Sequence, residues 1–358
     1  MNCSTLSMRS SRSIRRWENR VPSDPASALR RIALYGSAFA DRLDQVQALL
    51  GDGFETVHVP ADLGQAETAQ ALGDAYAVIA VSTVEGLPLP QGLKLLQVPG
   101  IGWDGVKVEH VPASASIANV AGHEIAVAEY CLAQMLDWCH RLRAADAEFR
   151  AGSWARSSRY GGGPHRELRG STVGIIGYGG IGRELARMLK ALGVRVVAAN
   201  RSASAFDDLV DAGFALADIP AMLEQCNFAI VAAALTPQTE GLIGQEALEA
   251  LGPDGVLVNV ARGPVVAEQA LYDSLADGRL GGAVIDVWYR YPDRLDAADR
   301  APSRFDFAAL PNVVMTPHIS GWTEGTASRR VAIIAENLRR AAAGDPLLNV
   351  VAMGTRTA

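Results

Sequence analysis

The chain has 358 residues, of which 49% are hydrophobic and 20% are charged, and a formal net charge of −6 at pH 7. This length exceeds what one hydrophobic core usually serves, so two folded domains are predicted. The acidic balance argues against binding to a nucleic-acid backbone, which needs clustered Lys and Arg. No run approaches about 18 uninterrupted apolar residues, so no membrane span is predicted.

Cysteine usage indicates the compartment. Four cysteines are spread along the chain without a CxxC pair, which predicts neither a disulfide framework nor a zinc site. We therefore expect free thiols, no bound metal and a reducing, cytoplasmic environment. The cysteines are Cys3, Cys131, Cys139 and Cys226.

The first 29 residues differ in composition from the rest of the chain. They are rich in Arg and Ser, contain no acidic residue before Glu18, and are interpreted as a disordered tail. Two alternatives remain open: a transit peptide, which such a composition resembles, or an extension upstream of a true start at Met8. The predicted fold therefore begins at residue 30.

Short apolar runs alternate with amphipathic segments from residue 31 to about residue 100, with one helix predicted over 41–50. This alternation is typical of a parallel sheet covered by helices, so the region is predicted to be a small α/β domain. It contains no phosphate-binding loop. The predicted strands are 31–34, 56–59, 77–81 and 95–98.

A single long amphipathic helix is predicted over residues 122–149, because apolar residues recur there at intervals of three and four. A helix of this length often connects two domains. A loop rich in Gly and Arg is predicted over 157–169. The apolar positions of the helix are Ile125, Ala128, Cys131, Met135, Cys139 and Leu142.

A second α/β series begins at residue 173 and has six predicted strands, the number in a full dinucleotide-binding fold. A final amphipathic helix over 324–342 is expected to return to the first domain. The fold class predicted is α/β, with two doubly wound parallel-sheet domains. The strands are 173–176, 194–199, 228–232, 256–260, 283–287 and 313–315.

The segment 177–182 has the GxGxxG spacing of a dinucleotide-binding turn. Chance produces this spacing often in a Gly-rich chain, but here a predicted strand leads into it and an amphipathic helix leaves it. Glycine permits a tight turn close to a pyrophosphate, and the following helix N-terminus attracts negative charge. Cofactor contacts are therefore predicted for Gly177, Gly179, Gly180, Ile181 and Gly182.

The strand after this turn ends at Asn200, Arg201 and Ser202, where an NAD enzyme usually has an acidic residue for the ribose 2′-hydroxyl. No acid stands at these positions. Arg201 and Ser202 can instead pair with a 2′-phosphate, so NADP is predicted to be preferred over NAD. Alternatively, Arg201 is only a solvated loop residue.

Three further polar stretches, 259–264, 286–289 and 316–321, end strands on the edge of the sheet where ligands bind in such folds. They supply an Arg, an Asp and a His. Arg262 can grip a carboxylate and polarise an adjacent carbonyl, and His318 can exchange the proton of a hydroxyl group. These residues predict oxidoreductase chemistry at a carbon that bears oxygen.

With these motifs, the sequence resembles the D-isomer-specific 2-hydroxyacid dehydrogenase family over roughly residues 30–351. The resemblance implies a Rossmann dinucleotide-binding domain, 122–321, inserted in a split flavodoxin-like substrate domain, 30–121 plus 322–358. Residues 235–239 match the family's loop beside the cofactor, and 344–350 match its C-terminal ending. Members are mostly homodimers, so a homodimer with residues 122–149 in its interface is implied.

The resemblance also implies residue roles. Arg262 would hold the substrate, His318 would act as acid and base, and backbone N–H groups of Ile101 and Gly102, in the 100–104 loop, would bind the carboxylate. Asp286 would contact the nicotinamide. Further implied cofactor contacts are Ala233, Ala234, Thr239, Val260, Ala261 and Gly321.

Two positions depart from the family pattern. The family usually has a glutamate five residues after the Asp, which pairs with the histidine and raises its pKa, but this chain has Tyr291. We count Tyr291 as substrate-binding, and the pKa of His318 is expected near the free imidazole value of about 6.5 unless Asp293 replaces the glutamate. His123 stands where formate dehydrogenase has a substrate-binding Asn, and is either a substrate contact or a helix-start residue facing solvent.

The predicted function is transfer of a hydride between a nicotinamide cofactor and a small 2-hydroxy or 2-oxo acid, as in glyoxylate and hydroxypyruvate reductases. The partner is thus a small molecule, with no nucleic acid and no membrane. Two alternatives stay open. One is a formate-dehydrogenase-like activity, since formate dehydrogenase also lacks the glutamate, and the other is a non-catalytic dinucleotide-sensing protein of the same fold.

Overall fold

The computed structural model describes residues 29–83, 86–202, 206–292 and 300–357, which form two sheets of six and seven strands. Each sheet is flanked by helices, so the predicted fold class of two parallel-sheet α/β domains is confirmed. The strands are β1 (Arg30–Tyr35), β2 (Phe54–Val59), β3 (Ala77–Ile79), β4 (Leu95–Gln97), β5 (Ser116–Ala118), β6 (Thr172–Ile176), β7 (Arg195–Asn200), β8 (Ala212–Ala215), β9 (Phe228–Val231), β10 (Val256–Asn259), β11 (Gly282–Ile285), β12 (Val313–Met315) and β13 (Val350–Met353).

The helices cover the faces of these sheets. Among those in the described residues, none is long and apolar enough to span a membrane. The same residues contain no group of three or more His, Cys, Asp and Glu side chains placed to hold a metal ion. The helices are α1 (Leu43–Leu50), α2 (Gln65–Leu72), α3 (Glu124–His140), α4 (Leu142–Arg150), α5 (Gly180–Ala191), α6 (Ile219–Leu223), α7 (Gln245–Leu251), α8 (Glu268–Ala276) and α9 (Glu324–Ala343).

The first sheet has the strand order β2-β1-β3-β4-β5-β13. Its first five strands are parallel, in the order typical of flavodoxin-like folds. Two of its strands were not predicted. β5 has only three residues, and β13 is a half-exposed edge strand antiparallel to β5, so neither shows a clear buried apolar run.

The second sheet has the order β8-β7-β6-β9-β10-β11-β12, and all of its strands are parallel. Its strand order reverses between β6 and β9, as in a dinucleotide-binding fold, where the ligand lies at this reversal. All six predicted strands are present within one or two residues of their predicted ends. The additional strand β8 was missed because it is a short edge strand of alternating half-buried residues.

The long helix predicted over 122–149 is wrong as a single element. Arg141 adopts a left-handed conformation with φ of 55° and separates α3 from α4. Its guanidinium lies over the ring of Trp138, 4.6 Å from the centroid, where a cation–π contact is favourable. Ile125 and Leu142, which were expected on the buried face, are exposed. An uninterrupted apolar period therefore does not exclude a break between two helices.

The last helix returns to the first sheet, as expected. Val331, Ile334 and Leu338 of α9 pack in one buried cluster with Leu43 and Val46 of α1. β13 then adds the final strand to that sheet. The first sheet is thus completed by residues from both ends of the described chain, while the exact domain boundaries stay predictions.

The three cysteines within the described residues are free and buried. Burial raises the pKa of the Cys226 thiol to about 12, so this thiol stays protonated near neutral pH. The reducing, cytoplasmic environment stays a prediction. Cys3 and residues 1–28 of the predicted tail lie outside the described residues.

Candidate active site

The site begins at the reversal of strand order, where β6 and β9 end side by side. Gly177 follows β6 with φ of 94°, a left-handed conformation that favours glycine. A Cβ at this position would overlap with the backbone of Ala233, which follows β9. The turn therefore requires glycine twice over, once for its dihedral angle and once for the close approach of two strand ends. The geometry fits a pyrophosphate-binding turn.

The remaining glycines of the motif lead into α5. Gly179 precedes the helix as its N-cap residue, and the space that a Cβ would occupy there is open. Gly180 begins the helix, Ile181 packs on the buried cluster beneath the sheet, and Gly182 lies against the carbonyl of Gly177. The N–H groups of the first helical turn thus face the place where a dinucleotide phosphate would bind.

The next strand end carries the residues predicted to select the cofactor. Asn200 accepts a hydrogen bond from the Arg201 backbone N–H, at 2.9 Å, and its side-chain amide approaches the carbonyl of Tyr178, at 3.5 Å. The side chains of Arg201 and Ser202 are exposed. Among the described residues, the Arg201 guanidinium has neither an ion pair nor a hydrogen bond, so it remains available for an anionic ligand.

A carboxylate does lie near this region, contributed by a residue farther along the chain. Asp207 accepts a hydrogen bond from the buried Tyr178 hydroxyl, at 2.6 Å, and forms an ion pair with Arg183. The guanidinium of Arg183 also lies over the Tyr178 ring. Asp207 is therefore already paired with a cation and a phenol.

The loop after β9 is closed by its own side chain. The Thr239 hydroxyl donates to the carbonyl of Ala234, at 2.7 Å, and accepts from the backbone N–H of Thr236, at 2.8 Å. Ala233 is buried against Gly177, whereas Ala234 is exposed. These contacts fix the loop beside the phosphate turn, and direct cofactor contacts from the three predicted residues stay predictions.

Arg262 is positioned by the turn that follows β10. Asn259 is buried, and its side chain accepts from the Ala261 N–H, at 3.1 Å, and donates to the carbonyl of Arg262, also at 3.1 Å. Val260 and Ala261 are buried within the turn. The amide of Asn259 therefore sets the path of the backbone from which the Arg262 side chain projects.

The Arg262 guanidinium meets the loop at 100–104, which belongs to the other sheet. Nη2 of Arg262 lies 3.2 Å from Oδ1 of Asp104, and Nη1 donates to the carbonyl of Ala261 at 2.8 Å. A Cβ added at Gly102 would overlap with Nη2 of Arg262. The two predicted substrate-binding elements are thus in direct contact, and only glycine leaves room for the guanidinium.

The loop at 100–104 also presents free donors. The Asn119 side chain donates to the carbonyl of Ile101 at 2.7 Å, which fixes the loop. Within the described part of the chain, the backbone N–H groups of Ile101 and Gly102 donate to no acceptor. Two unengaged N–H groups beside a guanidinium form a suitable site for a carboxylate.

Asp286 holds the segment that carries His318. Its carboxylate is fully buried and accepts from the Thr316 hydroxyl at 2.6 Å, from Ile319 N–H at 2.8 Å and from Ser320 N–H at 2.9 Å. These bonds flank His318, which has a left-handed φ of 60°. Asp286 therefore positions the histidine loop, and its predicted contact with the nicotinamide stays a prediction.

Tyr291 takes the position of the missing carboxylate. Its hydroxyl lies 3.0 Å from Nδ1 of His318 and accepts a hydrogen bond from the Trp288 N–H at 3.1 Å. The second lone pair of the phenol oxygen can accept a hydrogen bond from Nδ1–H, which leaves Nε2 as the ring nitrogen that gains or loses a proton. Asp293, the alternative partner, lies outside the described residues.

The surroundings of His318 disfavour its charged form. Partial desolvation in the cleft lowers the pKa of His318 from 6.5, although the residue keeps an exposed edge. Asp286 and Asp104 raise the pKa, whereas Arg262 and Arg330 lower it. The pKa thus lies below the value expected from the sequence, because that expectation omitted desolvation and the two arginines.

His123 is the N-cap residue directly before α3, so it does stand at a helix start, but it is buried and the prediction that it faces solvent is wrong. Desolvation lowers the pKa of His123. Glu124 raises this pKa, whereas Arg330 and Arg262 lower it further. The ring lies close to Gly321. His123 is therefore in the same cleft as Arg262, and its contact with substrate stays a prediction.

Three residues near the site were not assigned from the sequence. Asp104 belongs to a quoted motif, but its pairing with Arg262 depends on how the two domains meet. Trp322 and Arg330 are neighbours through a cation–π contact, with the guanidinium carbon 5.5 Å from the ring centroid. The sequence of an amphipathic helix does not indicate that one of its arginines lies beside Trp322 near the cleft.

The chain is similar to several known proteins. Residues 132–320 match the family model described as D-isomer specific 2-hydroxyacid dehydrogenase, NAD binding domain. A D-3-phosphoglycerate dehydrogenase of Mycobacterium bovis is 33% identical over 88% of this chain, which spans only 58% of that relative's length. A glycerate dehydrogenase of Methylorubrum extorquens is 32% identical over 74% of this chain and 80% of the relative.

A solved structure extends the likeness to the whole fold. The NADPH-dependent glyoxylate/hydroxypyruvate reductase of Sinorhizobium meliloti superimposes with a TM-score of 0.73 at 26% identity. The match covers 92% of this chain and 100% of that structure. Both domains are therefore shared with the matched structure.

Proposed function

We propose that this chain, which belongs to the D-isomer specific 2-hydroxyacid dehydrogenase family, interconverts a small 2-oxo acid and its 2-hydroxy acid with NADP(H). The family consists of oxidoreductases that act on CH–OH donors. The observation that carries the proposal is the meeting of Arg262 with Gly102 and two unengaged N–H groups in the cleft that also holds His318. The names of the glycerate dehydrogenase and glyoxylate/hydroxypyruvate reductase relatives support a small acid.

The residues of the chain divide the work of the reaction. Ile101 N–H, Gly102 N–H and the Arg262 guanidinium bind the substrate carboxylate, and Arg262 polarises the 2-oxo group. When bound, the reduced nicotinamide supplies the hydride that adds to C2. His318 supplies the proton for the 2-oxygen from Nε2, because Nδ1 is engaged by the Tyr291 hydroxyl. In the oxidation of a 2-hydroxy acid, neutral His318 accepts this proton.

A formate-dehydrogenase-like activity is the second candidate, because Tyr291 gives His318 a neutral partner where the family usually has a carboxylate. Formate oxidation involves no proton exchange at a substrate hydroxyl group. One screen separates the two: 2-oxo acids with NADPH or NADH, and formate with NADP+ or NAD+. Turnover of formate alone, or of no compound, would contradict the leading proposal.

Gly102→Ala should abolish activity while leaving the fold intact. The added Cβ would displace the Arg262 guanidinium, which is the mobile end of a long side chain, so stability should change little. Loss of the oriented cation should lower kcat/KM by about a thousandfold, close to the loss expected for Arg262→Ala.

The measurement is kcat/KM together with the melting temperature. Gly100→Ala is the matched control, because the space for its Cβ is open, and it should remain much closer to the unmodified protein. A loss below about tenfold in Gly102→Ala would remove Arg262 from its proposed role.

The free Arg201 guanidinium predicts a preference for NADPH. A charge-assisted contact to the 2′-phosphate contributes about 1.5–3 kcal/mol, so kcat/KM should favour NADPH over NADH by roughly tenfold to a hundredfold. Arg201→Ala should erase most of this preference without changing kcat/KM for NADH. An unmodified protein that uses NADH as well as NADPH would refute this cofactor assignment.

The lowered pKa of His318 predicts an acidic reductase. Reduction requires the imidazolium, so kcat/KM for reduction should fall as pH rises through a region below 6.5, and kcat/KM for oxidation should rise over the same range. Tyr291→Glu supplies a carboxylate and should shift the reductive limb to higher pH.

Tyr291→Phe is the control, because it removes the hydroxyl without adding charge, so its reductive limb should stay on the acidic side. The pH profiles of the three proteins test the proposal. A full reductase rate beyond about pH 8 in the unmodified protein would mean that another carboxylate pairs with His318.

A second copy of the chain is proposed to cover α4. This helix has no buried residue, and it exposes Leu142 and Phe149. Trp154 packs edge-on against Phe149 and Tyr160, and Trp154 and Tyr160 are also exposed. Such an apolar group on a surface is typical of a protein interface.

The predicted homodimer should show twice the mass of the chain by light scattering. Leu142→Glu combined with Phe149→Glu should shift it to monomers, because two charges would be buried in the interface. Leu49→Glu, at a leucine of α1 that is also exposed, is the matched control. A monomeric unmodified protein, or a double variant that stays dimeric, would refute this interface.

A further inference from the structure

Arg330 lies near the catalytic cleft without a charged partner. It is half-buried on α9, and within the described residues it forms neither an ion pair nor a hydrogen bond. Its guanidinium carbon lies over the ring of Trp322, 5.5 Å from the ring centroid. An arginine that is partly removed from water is usually paired with an acid. Arg330 therefore requires an explanation.

The position of Arg330 relates it to the substrate. Trp322 follows His318 by four residues, and its N–H donates to the Ile319 carbonyl at 2.9 Å, so the ring belongs to the histidine loop. The charge of Arg330 lowers the pKa of both His318 and His123. Arg330 thus acts on the two histidines of the cleft, from the side of Trp322.

The guanidinium is held but not enclosed. Trp322 has 47% of its surface exposed and supports one face of the cation. No nitrogen of Arg330 is among the buried unpaired side-chain atoms of the described residues, so water still reaches its donors. Partial burial lowers the pKa of Arg330. No acidic side chain of the described residues offsets this cost of desolvation.

We infer that Arg330, supported by Trp322, binds a second anionic group of the substrate, so that the preferred 2-oxo acid carries a further carboxylate, phosphate or sulfonate. This rests on the proposed function, in which Arg262 and the N–H groups of Ile101 and Gly102 already bind the first carboxylate. An acid with one carboxylate leaves Arg330 unpaired. A dianionic acid supplies the missing partner, and a guanidinium binds such oxyanions in a planar, two-point manner.

The test compares pairs of 2-oxo acids that differ by one anionic group. Oxaloacetate is compared with 2-oxobutyrate, 2-oxoglutarate with 2-oxopentanoate, and 3-phosphonooxypyruvate with hydroxypyruvate. The unmodified protein should favour the dianion of at least one pair by about tenfold to a hundredfold in kcat/KM, mainly through KM. The pair that responds identifies the group and its distance from C2.

Arg330→Gln should bring this ratio close to one, whereas Arg330→Lys should retain part of it because the charge remains. Arg339→Gln is the matched control: it removes one charge from the same helix, where Arg339 pairs with Glu336, and should leave the ratio unchanged. The preference should also weaken with added salt, as expected for an electrostatic contact.

The outcomes separate the two proposals. If single-charge acids are reduced but no dianion is preferred, or if Arg330→Gln leaves the ratio unchanged, the role of Arg330 is refuted and the proposed function stands. If no 2-oxo acid is reduced with either cofactor, the proposed function fails, and the role of Arg330 fails with it.

Discussion

The buried carboxylate of Asp286 fixes the reactive side of the site. An ionised carboxylate with no access to water is costly unless its oxygens are satisfied, and here they accept three hydrogen bonds from the segment 316–320. The bonds to Ile319 and Ser320 hold the backbone directly after His318, whose left-handed conformation would otherwise be unfavourable. The Tyr130 hydroxyl and the Trp288 indole also contact Thr316, at 2.7 and 2.9 Å, which ties this segment to α3 and to the chain after β11.

The substrate-binding side depends on a second constraint, the approach of two separately folded sheets. Arg262 follows a strand of one sheet, and Gly102 and Asp104 follow a strand of the other, so their contact exists only while the domains remain close. Residue Arg329 of α9 donates to the carbonyl of Gly122, just before α3. The returning helix therefore joins the first sheet to the second. A change in domain distance would separate the N–H groups of Ile101 and Gly102 from Arg262 and His318, even though each domain would remain folded.

Sequence patterns predicted the parts of this site that obey local rules. The GxGxxG turn needs glycine for its backbone conformation, and the spacing of these glycines can be recognised directly in the sequence. The strand and helix on either side have clear apolar periods. Arg262, Asp286 and His318 follow strands of one parallel sheet, so topology alone brings them to one edge. Tyr291, by contrast, was identified as the residue in place of the family's glutamate and was counted as substrate-binding, but its bond to His318 was not predicted. The hydrogen bond between Tyr291 and His318 depends on the conformation of the chain after Trp288. That segment has no hydrophobic periodicity from which its conformation could be predicted.

Other features escaped prediction because they depend on contacts distant in sequence. The break at Arg141 interrupts a continuous apolar pattern, and Arg330 is separated from His318 by part of a helix whose pattern predicts only an exposed face. The edge strands β8 and β13 are short and half-exposed, so they lack the buried runs that identified the central strands. In each case the deciding factor was which surface the segment meets, a property of the tertiary structure.

The charges of the cleft link substrate binding to protonation of His318. Desolvation lowers the pKa of His318 most, and Arg262 and Arg330 lower it further. Tyr291 offers a neutral hydroxyl in place of a carboxylate, so the free protein disfavours the imidazolium that reduction requires. An anionic substrate bound to Arg262 would offset that positive charge and place negative charge near the imidazole. Both effects raise the pKa of His318 in the complex relative to the free protein. Binding of the 2-oxo acid would therefore favour protonation of His318, and reduction of that acid then consumes the proton. Arg262 and Arg330 disfavour the imidazolium in the free protein, but once they are paired with the anionic substrate this effect is offset.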